Sequence, residues 1–438
     1  MMRQHYSLRC QACHSEFPDD GFLLRCPNEH EPSLLVTDYA DGCFEPDEAA
    51  EGIYRYSRWL PIARRLSGVG KTITYRSDSL CRATALANLW IGFNGYWPEK
   101  GAALETATFK ELEAYAVLSR LPQENGGVLV AASAGNTAAA LARVCSLNGI
   151  ECLVVVPECG LQRMQFAEPL NPCVKLVALT GFTDYYDAIS LAGRVAALEG
   201  FFAEGGVSNV ARRDGMGTTM LDAAETIGRL PDCYFQAVGS GAGAIAAHEA
   251  ARRLIGDGRF GRGLPRLMLS QNLPFVPIHL SWKAGRRELI SCGSDDAKRQ
   301  IRQIVAHVLS NRHPPYSVRG GVFDVVTEAG GDVLAVDNAE ALSAAQLFED
   351  CEGIDIDPAG AIALASLIKA ARRGQIDREA VVLLNITGGG WHRREQDKKL
   401  VPVKPDVQVD ESELESEETL EKIVALVSRP LAKSVNRA

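Results

Sequence analysis

Lys110 stands in Thr106-Ala-Thr-Phe-Lys-Glu-Leu-Glu113, between a small, hydroxyl-bearing turn and an amphipathic helical segment. Three other stretches have the composition of ligand-gripping turns. They are Ser133-Ala-Gly-Asn-Thr137, Gly239-Ser-Gly-Ala-Gly243 and Asn385-Ile-Thr-Gly-Gly-Gly390. A lone lysine is usually a solvated surface charge. A lysine accompanied by two glycine-bearing turns and a late Thr-Gly-Gly-Gly points to an amine that holds an aldehyde cofactor as a Schiff base, with the loops gripping the rest of it.

Gly239, Ser240, Gly241, Ala242 and Gly243 follow an apolar run and open a helical pattern. Glycines let backbone N–H groups turn inward, and a helix start adds positive dipole. Such a turn binds phosphate without a basic side chain. It could serve a dinucleotide, but the acidic ribose ligand expected about 20 residues on is hard to place where Arg252 and Arg253 stand. A single phosphate monoester, such as that of pyridoxal 5′-phosphate, is the better match. The N–H groups and hydroxyls of Ser133, Ala134, Gly135, Asn136 and Thr137 suit a carboxylate, and Asn136 suits a ring hydroxyl. Alone, this turn reads more readily as an ordinary strand-to-helix connection capped by Asn136. Thr387 ends an apolar strand, and ligands of open α/β sheets lie at the carboxyl ends of strands. A hydroxyl facing a pyridine nitrogen leaves that nitrogen neutral and favours elimination of a β substituent. The plainer alternative is a strand end feeding a Gly-Gly-Gly turn.

Near the N-terminus, Cys10-Gln-Ala-Cys13 is followed by Cys26-Pro-Asn-Glu-His30. Cys10, Cys13, Cys26 and His30 could hold zinc tetrahedrally, with His14 competing for the fourth place. Four protein ligands would leave no open position, so the metal would be structural. A knuckle that folds without metal is the alternative.

The elements that must position these residues follow from periodicity. Residues 71–75 and 89–93 read as strands and 111–121 as a helix. From residue 127 the pattern alternates: strands 128–132, 152–157 and 174–179, with helices 136–148 and 185–198. A second block holds strands 234–238, 266–270, 333–336 and 381–386. Its helices follow the glycine loop, span 339–348 and begin at Pro358. Alternation of this kind predicts parallel sheets covered on both faces. Expected bounds are a knuckle over 1–40, a large domain over 41–105 and 215–395, a small domain over 106–214, and an extension over 396–438. Residues 406–421 carry eight acidic groups and no basic one, which reads as a solvated tail. The chain has 438 residues, is 46% hydrophobic and 23% charged, and carries a formal net charge of −9. That balance disfavours nucleic acid as a partner. No apolar run is long enough to span a bilayer, and the scattered cysteines suit a reducing cytoplasm.

Phe109-Lys110, Ser-Ala-Gly-Asn-Thr, Gly-Ser-Gly-Ala-Gly and Thr387 together resemble the fold-type II pyridoxal-phosphate enzymes. The Cys-x-x-Cys knuckle is similar to that of the threonine synthase family, and several further stretches resemble its cysteate synthase branch. These include Phe93-Asn-Gly-Tyr-Trp-Pro-Glu-Lys-Gly101, Asn209-Val-Ala-Arg-Arg-Asp-Gly-Met-Gly217, Asn272-Leu-Pro-Phe-Val-Pro277 and Pro315-Tyr-Ser-Val-Arg-Gly-Gly321. The likeness covers roughly residues 8–394. It implies a tryptophan synthase β-like α/β fold with two parallel-sheet domains, pyridoxal 5′-phosphate as cofactor, and a homodimer. By position it implies Lys110 as the Schiff-base lysine and Asn136 on the cofactor's 3′-oxygen. The loop 239–243 would hold its phosphate, Thr387 would face its ring nitrogen, and Ser133 to Thr137 would take the substrate carboxylate. The implied reaction is replacement of the phosphate of O-phospho-L-serine by sulfite, giving L-cysteate. Two anionic substrates need positive charge, for which Lys100 and Arg319 stand first and Lys283, Arg286 and Arg287 behind them. Rival expectations are a threonine synthase using O-phosphohomoserine, phosphoserine replacement with another nucleophile, and a binding protein on a dead scaffold. Here Glu105-Thr-Ala-Thr-Phe-Lys replaces the family's common Pro-Thr-Gly-Ser-Phe-Lys.

Overall fold

A computed structural model describes residues 5–123 and 126–427. The chain divides into two compact units, Met1–Gln123 with Gly205–Lys399, and Glu124–Glu204 with Leu400–Ala438.

The larger unit is organised on a six-stranded sheet. Its strand order is Asp332–Val336, Arg266–Asn272, Cys233–Ala237, Val381–Ile386, Asn88–Phe93, Ile73–Arg76. All neighbours are parallel except Ile73–Arg76, which closes one edge antiparallel. The apolar runs expected as strands are buried on both faces, as a parallel sheet under helices requires. Leu384 and Phe235 sit opposite each other in register and are fully buried. Because Cys233–Ala237 and Val381–Ile386 are parallel neighbours, the loops after them leave the same edge of the sheet.

Two helices of this unit carry the site. Lys110–Arg120 packs against Val210–Ile227. The smaller unit therefore starts later than residue 106 and ends before residue 214. Periodicity gives no sign of the Val210–Ile227 helix, because Val210 to Ala224 are all buried and no polar face remains. Its charges are compensated internally. Asp214 accepts from Thr37 at 2.6 Å and Tyr39 at 2.8 Å, and pairs with Arg253. The N-terminal knuckle is a three-stranded antiparallel sheet, Glu16–Phe17, Tyr6–Cys10, Leu35–Tyr39.

The smaller unit has five parallel strands in the order Phe201–Ala203, Val128–Ala132, Cys152–Pro157, Val174–Thr180, Val407–Asp410. The last strand corrects the expectation of a solvated tail. Val407 pairs with Val177 and Val409 with Leu179, and the Leu176 amide donates to Asp406 over 2.8 Å. Leu420 and Ile423, three residues apart on the helix Glu417–Ala425, are buried in the same core as Leu191 and Val195. The acidic residues between these apolar positions mostly face outward, and Glu417 pairs with Arg194 at 2.8 Å. Composition hid an amphipathic pattern. Among the described residues no helix is long and apolar enough to cross a membrane.

Candidate active site

Lys110 opens its helix. Ahead of it Ala107 adopts φ +53, a left-handed turn that a non-glycine residue rarely takes. The turn is held by Glu111, fully buried, whose Oε2 accepts from the Thr106 amide at 2.7 Å and its hydroxyl at 2.9 Å. Lys110 Nζ donates to Glu113 Oε2 over 3.0 Å, lies 3.8 Å from Met216 Sδ, and sits 4.6 Å from the Phe109 ring centre. The other Glu113 oxygen is 3.3 Å from Arg212.

The segment before Lys110 is stitched to the turn after Val381–Ile386. The Phe109 amide donates to the Thr387 carbonyl at 3.0 Å, and the Gly389 amide donates to the Ala107 carbonyl at 3.0 Å. Thr108 and Gly388 form an antiparallel bridge between them. A Cβ at Gly388 would stand 2.7 Å from Asp357 Oδ2 and 3.0 Å from the Ala107 carbonyl, so only glycine allows the approach. Thr387 is buried, and the Thr108 hydroxyl is buried without a hydrogen-bond partner among the described residues.

The glycine loop joins Cys233–Ala237 to the helix Ala242–Asp257. Gly241 has φ +80, and a Cβ there would collide with the Val322 Cγ2 methyl. A Cβ at Gly239 would meet Leu309 Cα at 3.0 Å, and one at Gly243 the Phe109 ring at 3.0 Å. Lys110's neighbour thus packs on the first turn of the helix that the loop opens. A bare cradle at the start of a sixteen-residue helix suits a phosphate dianion.

Under this junction lies a buried polar network that sequence reasoning passed over. Gln236 Oε1 accepts from Tyr234 at 2.5 Å and from Asn385 Nδ2 at 3.1 Å. Asn385 Oδ1 accepts from Asn94 at 2.7 Å, and Asn94 Oδ1 from Thr219 at 3.1 Å. The available signal was the polar residues within the runs 233–237 and 381–386 and directly after 88–93. Fully paired, such a network ties three strands and a helix in one register.

Ser133 to Thr137 belong to the smaller unit, between Val128–Ala132 and Asn136–Asn148. The Ser133 hydroxyl accepts from the Gly135 amide at 2.9 Å, and Gly135 has φ +135. Asn136 Oδ1 is buried with no hydrogen-bond partner among the described residues, as a ligand-binding oxygen would be.

The expected substrate-binding cations have other partners. Lys100 Nζ lies over the Tyr75 ring at 4.5 Å and the Trp97 ring at 4.9 Å. Arg319 donates to Glu31 at 2.7 Å, Lys283 to Asp332 at 2.6 Å, and Arg287 to Asp324 at 2.6 and 2.9 Å. The ligand atoms of Cys10, Cys13, Cys26 and His30 all lie within 4.8 Å of one another. This grouping takes His30; His14 stands outside it. It fits a four-ligand metal site of thiolates and one imidazole.

A lysine at a helix start, a strand-end threonine and a glycine phosphate cradle at one edge of a parallel sheet define an enzyme built around an aldehyde-phosphate cofactor. The chain belongs to the pyridoxal-phosphate dependent enzyme family, whose sequence profile matches residues 99–388. The cysteate synthase of Methanosarcina mazei is 47% identical over 414 residues, spanning 94% of this chain and 99% of that protein. The cysteate synthase of Methanosphaerula palustris is 48% identical over 410 residues, spanning 93% of this chain and 95% of that protein. Among solved structures, maize serine racemase superposes with a TM-score of 0.55 at 18% identity, covering 74% of this chain and 91% of that one. The processed form of threonine deaminase isoform 2 from Solanum lycopersicum gives 0.54 at 15% identity, covering 81% of this chain and 84% of that one. These two share the fold, which is that of the fold-type II enzymes. Pyridoxal phosphate is the cofactor, and within the larger unit the bare glycine loop and the strand-end Thr387 suit its phosphate and its ring nitrogen.

Proposed function

We propose that this enzyme converts O-phospho-L-serine and sulfite to L-cysteate and phosphate. The C–O bond at Cβ breaks, a C–S bond forms there, and the Cα proton is removed and returned. The relatives named cysteate synthase, matched over nearly their whole length, support the reading. The observation that carries the site assignment is the hydrogen-bonded junction of Ala107 to Phe109 with Thr387 to Gly389, beside the glycine loop.

When bound, pyridoxal phosphate makes the Cα proton acidic and lets the Cβ substituent depart. Lys110 is the residue that carries it and the base that moves the Cα proton. Gly239 to Gly243 hold its phosphate through backbone amides. Asn136 would hold its 3′-oxygen, and the Thr387 hydroxyl would serve its ring nitrogen. Ser133 to Thr137 bind the substrate carboxylate. Two anionic substrates need fixed positive charge, a share of which falls to Lys100 and Arg319. Glu113 keeps the Lys110 side chain directed along its helix, with Arg212 holding Glu113 in turn. The enzyme acts as a homodimer in the cytoplasm.

The test is product analysis by mass spectrometry after incubation with pyridoxal phosphate, O-phospho-L-serine and sulfite. Cysteate and phosphate are expected together, with phosphate release dependent on sulfite. Threonine from O-phosphohomoserine, with no cysteate from phosphoserine, would overturn the assignment.

A further inference from the structure

We propose that the Cys10, Cys13, Cys26, His30 cluster is a zinc site that braces the cofactor-phosphate loop, so that zinc and pyridoxal phosphate bind cooperatively. The inference rests on reading the 239–243 loop as that cradle.

The cluster has the dimensions of a closed tetrahedral centre. With Zn–S near 2.3 Å, two sulfur ligands lie about 3.8 Å apart. Cys13 and Cys26 Sγ are 3.6 Å apart, and Cys10 Sγ is 3.3 Å from His30 Nε2. His30 Nδ1 is 2.6 Å from the Glu31 carbonyl. If that nitrogen carries the proton, Nε2 is left as a lone-pair donor facing the cluster. Residues 27–32 are exposed and contribute no core, so a cross-link through the metal would add to the few hydrogen bonds that hold this loop.

From the ligands a short path leads to the cofactor loop, all within the larger unit. The Gln11 amide, next to Cys10, donates to the Leu34 carbonyl at 3.0 Å. The Leu34 amide donates to the Arg319 carbonyl at 2.9 Å, and the Arg319 amide to the Pro32 carbonyl at 3.1 Å. The Arg319 side chain adds its bond to Glu31, beside His30. Gly320, at φ +76, presses its backbone on Gln11, whose Cγ would lie 3.1 Å from a Cβ there. Its amide donates to Asp324 at 2.9 Å, and Arg287 clamps the same carboxylate. Two residues on is Val322, fully buried, whose methyl occupies the space a side chain at Gly241 would need. The knuckle thus sets Arg319 and Gly320, these set Val322, and Val322 backs the bend of the phosphate loop. This also gives Arg319 a positioning role that does not require it to touch substrate.

The experiment compares cofactor binding with and without zinc. Metal content is read by plasma mass spectrometry. The affinities for pyridoxal phosphate and for pyridoxal, which lacks the phosphate, are read from visible absorbance. Purified wild type is expected to hold one zinc per chain. Zinc removal by chelation is expected to weaken pyridoxal phosphate binding about tenfold, in the usual range of coupled sites, while leaving pyridoxal unchanged. Returning zinc restores the affinity. Val322→Ala is expected to keep its zinc, bind pyridoxal phosphate more weakly, and lose nothing further on chelation. Protein purified without zinc and unable to take it up would overturn the proposal. So would equal affinity with and without zinc, or equal losses for both compounds. Zinc-loaded protein that binds pyridoxal and pyridoxal phosphate with the same affinity would instead overturn the reading of the loop as a phosphate cradle.

Discussion

The amide of Phe109 donates to the carbonyl of Thr387 over 3.0 Å, and this bond helps to set Lys110 beside the end of the strand Val381–Ile386. Residues far apart along the chain share a turn because Val381–Ile386 is an interior strand of the sheet and Lys110–Arg120 begins at its carboxyl edge.

Lys110→Ala is expected to abolish the visible absorbance of the lysine-bound cofactor while the far-ultraviolet circular dichroism stays that of wild type. Loss of the proton-transferring amine is expected to lower turnover at least about a hundredfold. Absorbance retained in this variant would move the cofactor lysine elsewhere.

Gly388→Ala places a methyl 2.7 Å from Asp357 Oδ2. Overpacking of this kind costs about 1–3 kcal/mol. Because Asp357 also caps the helix Pro358–Arg372 through the Gly360 amide at 2.7 Å, the strain has no soft outlet. The expected result is a lower Tm together with weaker cofactor retention on dialysis; an unchanged Tm would show that the turn relaxes.

Asp19 and Arg120 form a fully buried pair, at 2.8 Å from Nε to Oδ2 and 2.6 Å from Nη2 to Oδ1. Burial opposes ionisation of Asp19, but hydrogen bonds and charge from Arg120 outweigh it and hold its carboxyl below the usual range. A depressed folded-state pKa contributes stability above the unfolded value, near 3.9, which is lost as pH falls through the folded value. Asp19→Ala leaves Arg120 buried and unpaired and is expected to cost about 3–5 kcal/mol. Denaturant melts at pH 7 measure that loss. The variant is also expected to lose less stability than wild type between pH 5 and pH 3.

Ending the chain after Lys399 removes the strand Val407–Asp410 and the helix Glu417–Ala425. The edge of Val174–Thr180 and the core around Leu191 and Val195 would then be open to water. Truncated protein is expected to melt at lower temperature and to aggregate. The milder Ile423→Ala, at a fully buried position, is expected to cost about 2–5 kcal/mol. Wild-type stability in the truncated chain would restore the picture of a solvated tail.

Much of this fold was legible before any coordinates, because its signals are local. Apolar runs five to seven residues long bounded by glycine turns became the parallel strands at nearly the expected bounds. One stretch was passed over and another misread, for opposite reasons. The helix Val210–Ile227 has no polar face to betray its period. The strand Val407–Asp410 has so many acidic neighbours that composition masks its alternation.

Residue types and their near neighbours pointed to the chemistry: a lysine before a helix, glycines where a backbone could bend around phosphate, thiols at the spacing metal ligands take. Those are properties of a few consecutive residues, and they survive in one dimension. Which cation meets which carboxylate is a different kind of fact. Arg319 turns to Glu31, Arg287 to Asp324 and Lys283 to Asp332 because the packed chain brings those carboxylates within reach. Charge carries no sequence address. Only the folded backbone, through the sheet order and the close approaches its glycines permit, selects the partner.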